Sequence, residues 1–155
     1  MCLADKIGID VYYQDTDSLH IEEADVPKLA NAYKEKYGAD LIGSQLGQFH
    51  CDFDPIKPGV PVHSKKLIAL GKKSYLDVLE DDEGNNAYHI RMKGIPQPVI
   101  QRECNKNGWT LEDLYMYLYE GNTIKFNLLE GCNCFRKNKT YEMITPEVFF
   151  RTVKF

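Results

Sequence analysis

The chain contains no run approaching the ~20 consecutive apolar residues of a membrane-spanning helix, so no membrane partner is expected. Its first residues, Met1-Cys2-Leu3-Ala4-Asp5-Lys6, lack a basic stretch followed by an apolar one, so no secretory signal is expected either. It has no internal repeat and no low-complexity tract. Paired cysteines are also lacking. Cys2, Cys51, Cys104, Cys132 and Cys134 are an odd number and scattered, which favours reduced thiols and an intracellular setting, whether cytoplasm, nucleus or organelle. Cys132-Asn133-Cys134 is the only close pair, whereas zinc sites show two ligand pairs at two-to-four-residue spacing, so zinc is not expected.

What remains is a chain able to fold. Its 155 residues suit one domain, and 43 % apolar with 12 % aromatic residues exclude a disordered polar chain. The net charge of −4 hides an asymmetry. Residues 1–56 carry 4 Lys/Arg against 11 Asp/Glu, and residues 57–155 carry 15 against 12. An acidic half suited to cations joins a basic half suited to phosphates, although chance asymmetry on a mixed surface would look the same.

The stretch Tyr12-Tyr13-Gln14-Asp15-Thr16-Asp17-Ser18-Leu19-His20 organises the reading. β-branched and aromatic residues flank a short polar segment, the pattern of a hairpin. Residues two apart in extended chain point to one side, so Asp15 and Asp17 are expected to project together from the tip. Like charges so placed repel and invite a divalent cation. Mg²⁺ is commonly held by one or two carboxylates, with phosphates and water completing its shell. Phosphoryl transfer uses paired metals about 3.5–4 Å apart in such settings. A solvated acidic turn is the alternative, and a Ca²⁺ loop another. An EF-hand starting at Asp15 would need Gly and Glu where this chain has His20 and Val26.

Around this stretch, residues 2–6 read as a helix turn stopped by Gly8, and Ala24–Tyr37 as an amphipathic helix. Asp25 is its expected cap, and Val26, Leu29, Ala30, Tyr33 and Tyr37 its packed face. Residues 42–61 read as a Gly- and Pro-punctuated connection anchored by Phe49 and Phe53. A strand with a bend at Gly71 is expected to run through Lys73 and Tyr75 to residue 79, turn at 81–86, and return as 88–93. Lys73 and Tyr75, two apart, would then share a face, the lysine for a phosphate and the phenol for a sugar or base. Residues 96–107 read as a short helix or turn. A helix capped by Thr110 follows, its tyrosines assigned to core packing. Short β segments at 124–128, 140–144 and 148–153 enclose a basic patch, Arg136-Lys137-Asn138-Lys139.

Tyr13-Gln14-Asp15-Thr16-Asp17-Ser18 resembles the Tyr-x-Asp-Thr-Asp-Ser motif of family B DNA polymerases, known as motif C of the palm. Leu19 and His20 look like the protein-primed branch of viruses and linear plasmids. Lys73-Ser74-Tyr75 resembles the Lys-x-Tyr motif of the same family, and Arg91-Met92-Lys93-Gly94-Ile95-Pro96 the segment where palm passes into thumb. The resemblance implies an α+β fold: a partial palm over residues 1–95, with an antiparallel sheet and a packed helix, and a small thumb over 96–155. It implies Asp15 and Asp17 as catalytic metal ligands for Mg²⁺ and Tyr13 as the floor of the site. Lys73, Tyr75 and Lys93 would contact the primer. The partners implied are primer-template DNA, a dNTP and a terminal protein acting as primer. Motif A, the fingers helix and exonuclease carboxylates of the family have no counterpart here, so the isolated chain is expected to be inactive. A non-catalytic DNA-binding remnant of a viral or mobile-element polymerase is the rival reading.

Overall fold

Ala4, Ile9, Leu29 and Leu41 form the smaller of two buried clusters, and the reason lies in three amphipathic pieces that each carry one apolar stripe. The computed structural model describes residues 2–129, 136–137, 140–144 and 149–155. It divides into two compact units, Met1–Pro55 and Ile56–Phe155.

In the first unit, helix α1 (Cys2–Lys6) is followed by a hairpin of β1 (Tyr13–Asp15) and β2 (Ser18–His20). A short 3-10 turn at Glu23–Asp25 leads into helix α2 (Val26–Tyr37). The expected helix thus starts as a tighter turn, and Asp25 makes no side-chain capping bond. Leu29 is its buried residue, with Ala30 and Tyr33 partly packed on the cluster. Tyr37, expected on the packed face, is instead 55 % exposed. It lies in the last turn, where its ring meets Tyr33 at 4.7 Å and the Lys36 ammonium at 4.9 Å. Leu19 of β2 packs against the same cluster, so α2 does lie behind the acidic hairpin. The connection after α2 is anchored less firmly than expected: Phe49 makes a backbone bridge with Ile42 but its side chain is 39 % exposed.

The second unit is built on an antiparallel sheet of β3 (Val62–Gly71), β4 (Ser74–Asp81) and β5 (Asn86–Met92), with β4 central. One strand was expected between residues 67 and 79. The structure shows two, separated by a turn at Lys72-Lys73, because a Lys-Lys pair carries none of the Asn-Gly or Asp-Gly signal of short hairpins. The bend at Gly71 is present as a register shift between Ala69 and Gly71. Helices α3 (Gln97–Asn107) and α4 (Leu111–Tyr119) pack on one sheet face. They bury Ile100, Cys104, Leu114, Tyr115 and Leu118 against Leu76, Val78, Ile90 and Met92. Each such large apolar side chain is worth ~1.5–3 kcal/mol on burial. The Tyr115 hydroxyl donates to the Arg91 carbonyl at 2.7 Å, which satisfies its one polar atom. Burial holds the Tyr115 phenol protonated, its pKa well above the ordinary tyrosine value.

Strand β6 (Ile124–Asn127) extends the same core through Phe126, and pairs at the sheet's side with the C-terminal strand. Strands β7 (Arg136–Lys137) and β8 (Met143–Ile144) pair with each other, and β9 (Phe150–Val153) with β6. The boundary expected at residue 95 falls inside one core: Ile95 is buried with residues from both sides of it. Cys132-Asn133-Cys134, Asn138 and Lys139 of the basic patch, and Val148 lie outside the described residues. Among the described residues no helix is long and apolar enough to cross a membrane. The α+β class is as expected.

Candidate active-site hairpin and basic sheet end

The acidic hairpin is tighter than an extended run of alternating residues. Its turn is Thr16-Asp17, with Asp15 paired to Ser18 and Tyr13 to His20. Asp15 therefore closes the strand while Asp17 belongs to the turn. The period-two argument for their common direction does not apply, because Thr16 between them has φ of 41° and breaks the extended chain. Proximity at the tip comes from the turn instead. Positive φ is rare for a β-branched residue and costs of order 1–3 kcal/mol.

Local bonds hold this geometry. The Thr16 hydroxyl donates to Asp15 Oδ1 at 3.3 Å, and the Ser18 hydroxyl to the Asp15 carbonyl at 3.1 Å. Tyr13, Asp15, Ser18 and His20 share the half-buried face of the hairpin, since directly paired residues project to one side. Tyr13 meets His20 edge to face at 5.4 Å, and His20 meets Phe53 at 6.4 Å. Asp17 is exposed. At the hairpin's base the Tyr12 hydroxyl donates to Glu22 Oε1 at 3.0 Å. That bond, with the Glu22 charge, raises the Tyr12 pKa above its ordinary value.

The donor set at the tip fits Mg²⁺ in kind: two hard carboxylates on a short, bonded turn. It fits only in part, since among the described residues no group of three or more His, Cys, Asp or Glu side chains is gathered to hold a metal.

The second unit carries the other residues expected to be functional. Lys73 is exposed and lies in the β3–β4 turn with φ of 61°. Tyr75 is on β4 and 9 % exposed. The two do not share a strand face as expected, because the chain has turned by the time it reaches Ser74. What the structure brings to Lys73 is Lys93. Ser74 pairs with Met92, and the Lys93 N–H donates to the Ser74 hydroxyl at 3.1 Å, so both lysines stand at one end of the sheet. The C-terminal strand reinforces that end. Arg151 donates to the Gly94 carbonyl at 3.0 Å, and the Phe155 ring lies beside Gly71. Gly94 has φ of 75°, and a methyl group there would strike the Arg151 guanidinium. The opposite end of the sheet is acidic, with Asp81, Asp82 and Glu83 in its turn. There Lys57 pairs with Glu83, and Lys65 with Glu80 at 3.0 Å.

Sequence reasoning missed one group. On the sheet face away from the helices, Asp77 is fully buried and accepts the Ser64 hydroxyl at 2.7 Å. His89 is its cross-strand partner, and the Tyr75 ring stacks on His89 with centroids 6.0 Å apart. The signal was present: an aspartate inside the strand-like run Tyr75-Leu76-Asp77-Val78-Leu79 needs a partner if buried.

An α+β chain with an acidic hairpin in one unit and a basic sheet end in the other is the class these features define. Over 121 residues it is 28 % identical to a DNA polymerase of Kluyveromyces lactis, across 75 % of this chain and 10 % of that protein. The chain thus spans about a tenth of the length of the curated relative it matches, and it is similar to a DNA polymerase. No protein-family model matches the chain, and no solved structure matches it.

Proposed function

We propose that this chain is the motif C palm portion and thumb of a family B DNA-directed DNA polymerase, of the protein-primed type found in viruses and linear plasmids. The observation that carries the reading is the Tyr13–Ser18 segment: a tight hairpin with both acids at its turn and a strained threonine between them. Backbone strain of this kind clusters at functional sites. Similarity to a DNA polymerase over most of the chain supports the same reading.

In the proposed reaction a primer 3′-hydroxyl attacks the α-phosphate of a dNTP, and pyrophosphate leaves. Mg²⁺ held by Asp15 and Asp17, with a further carboxylate from outside this chain and the dNTP phosphates, would supply charge neutralisation at the reacting oxygens. Tyr13 supports the hairpin tip from its half-buried face. Lys73 and Lys93 hold primer phosphates without reading sequence. Tyr75, braced by His89, orients the primer end. The polymerase that acts adds a motif A aspartate and a fingers helix to these residues, and takes a terminal protein as primer.

Primer extension tests this, with the 155-residue chain alone and with a longer polypeptide supplying those two parts. The chain alone gives no extension in Mg²⁺ and dNTPs. The longer polypeptide extends, and Asp15→Asn or Asp17→Asn abolishes extension while DNA binding persists. Extension that survives Asp17→Asn overturns the assignment.

A further inference from the structure

A cleft of about 280 Å³ lies between α3 and the β6–β9 ladder, apart from both groups described above. Its helical wall is Val99, Arg102, Glu103 and Lys106. These positions follow the three-and-four spacing of one helix stripe. Its strand wall is Lys125, Asn127 and Phe150. Lys125 and Asn127 alternate with the buried Ile124 and Phe126, and Asn127 pairs directly with Phe150, so all three project to one side. The Lys125 ammonium lies 4.4 Å from the centre of the Phe150 ring.

Three cations thus face one acid in this cleft. That acid is engaged: Glu103 Oε1 accepts the Asn107 amide at 3.0 Å. Phe150 is 46 % exposed, an unusual position for a phenylalanine unless something covers it. Cations along a groove with an aromatic ring beside them are the means by which single-stranded nucleic acid is held, phosphate by charge and base by stacking.

We infer that this cleft binds one nucleotide of a DNA strand, its phosphate between Arg102, Lys106 and Lys125 and its base against Phe150. The inference deepens the polymerase reading and rests on it for the choice of DNA as phosphate donor. It adds a contact on the thumb-like elements that is separate from the Lys73–Lys93 end.

The test is fluorescence anisotropy of a labelled 12-nucleotide single strand with the full 155-residue chain at several salt concentrations. The double variant Lys106→Gln/Lys125→Gln keeps the fold, since both side chains are exposed, and a thermal melt verifies this. Its affinity falls about tenfold at low salt, and the slope of log K against log salt drops by roughly 1.4 for two lost phosphate contacts. Phe150→Leu weakens binding several-fold without changing the slope. Titration of dAMP separates the sources of phosphate: strand affinity lost with dAMP affinity unchanged supports a strand, and dAMP binding as tight as the strand's overturns it. Unchanged affinity and slope in the double variant also overturn the inference. If Lys73→Gln/Lys93→Gln still weakens the strand in that case, the polymerase reading stands. If the unaltered chain binds no DNA, both fall.

Discussion

The backbone N–H of Lys93 donates to the hydroxyl of Ser74 at 3.1 Å, and this bond joins two turns that are 19 residues apart in sequence. Ser74 is fully buried and follows Lys73 directly, so the hydroxyl sets where both lysines stand. Ser74→Ala leaves the Lys93 amide without its partner. The expected cost is ~1–3 kcal/mol of stability, read by urea unfolding. Hydrogen exchange at the Lys93 amide should accelerate at the same time. An amide as protected as before would show that the bond does not hold the turn.

Thr16 sits at φ of 41°, where glycine is at ease and a β-branched residue is not. Replacing it by glycine removes strain of order 1–3 kcal/mol and adds back a backbone entropy cost of ~0.5–1 kcal/mol. Thr16→Gly should therefore raise the melting temperature of the chain by a few degrees. It also removes the hydroxyl that donates to Asp15, so nucleotide addition by the complete polymerase should decline. A lower melting temperature would mean the turn is not strained.

Helix α4 begins with a reciprocal cap. The Thr110 hydroxyl accepts the Asp113 N–H at 3.1 Å, and Asp113 Oδ2 accepts the Thr110 N–H at 2.9 Å. These bonds favour the carboxylate, chiefly the Thr110 side-chain bond, and lower the Asp113 pKa. A carboxyl with a lowered folded-state pKa contributes stability at pH above its unfolded value of about 3.9, and loses it as pH falls through the folded value. Asp113→Asn should be less stable than the unaltered chain at pH 7, and the gap should close below about pH 4. A gap that stays constant to pH 2 would exclude this origin. Asp81 adds to the same acid window. Burial alone would raise its pKa, but bonds from Asn85 and the Glu83 N–H outweigh it and lower the value.

Cys104 and Cys51 should differ sharply in reactivity. Cys104 is fully buried, and burial, with Glu103 and Asp113 nearby, pushes its thiol up to about 11. Cys51 is exposed. Since the thiolate is the nucleophile, iodoacetamide at pH 7.5 should modify Cys51 within minutes and spare Cys104 until the chain unfolds. Peptide mapping reads both. Equal rates would mean the α3–α4 core opens freely.

The parts legible in the sequence were those set by local chemistry. The hairpin at Asp15-Thr16-Asp17, the stop of α2 at Gly38, the Thr110 cap and the Gly71 bend all follow from residue types within a few positions. The Lys72-Lys73 turn was not legible, because lysine carries no turn preference. Its positive φ is held by the pairing of the strands on either side. The exposure of Tyr37 was missed for a similar reason: helical spacing names a stripe, and only the packed neighbours show how far that stripe is covered.

By itself the sequence determined the acid pair, the α+β class and the concentration of basic residues in the second half, because these depend on which residues are present and on their spacing. Only the tertiary structure decided that Lys73 meets Lys93 rather than sharing a face with Tyr75. It also decided that Asp77 is buried against Ser64, and that Arg151 returns to Gly94. Each of these is a contact between residues at least 13 apart, and strand pairing of that range is chosen by the whole core rather than by any one segment.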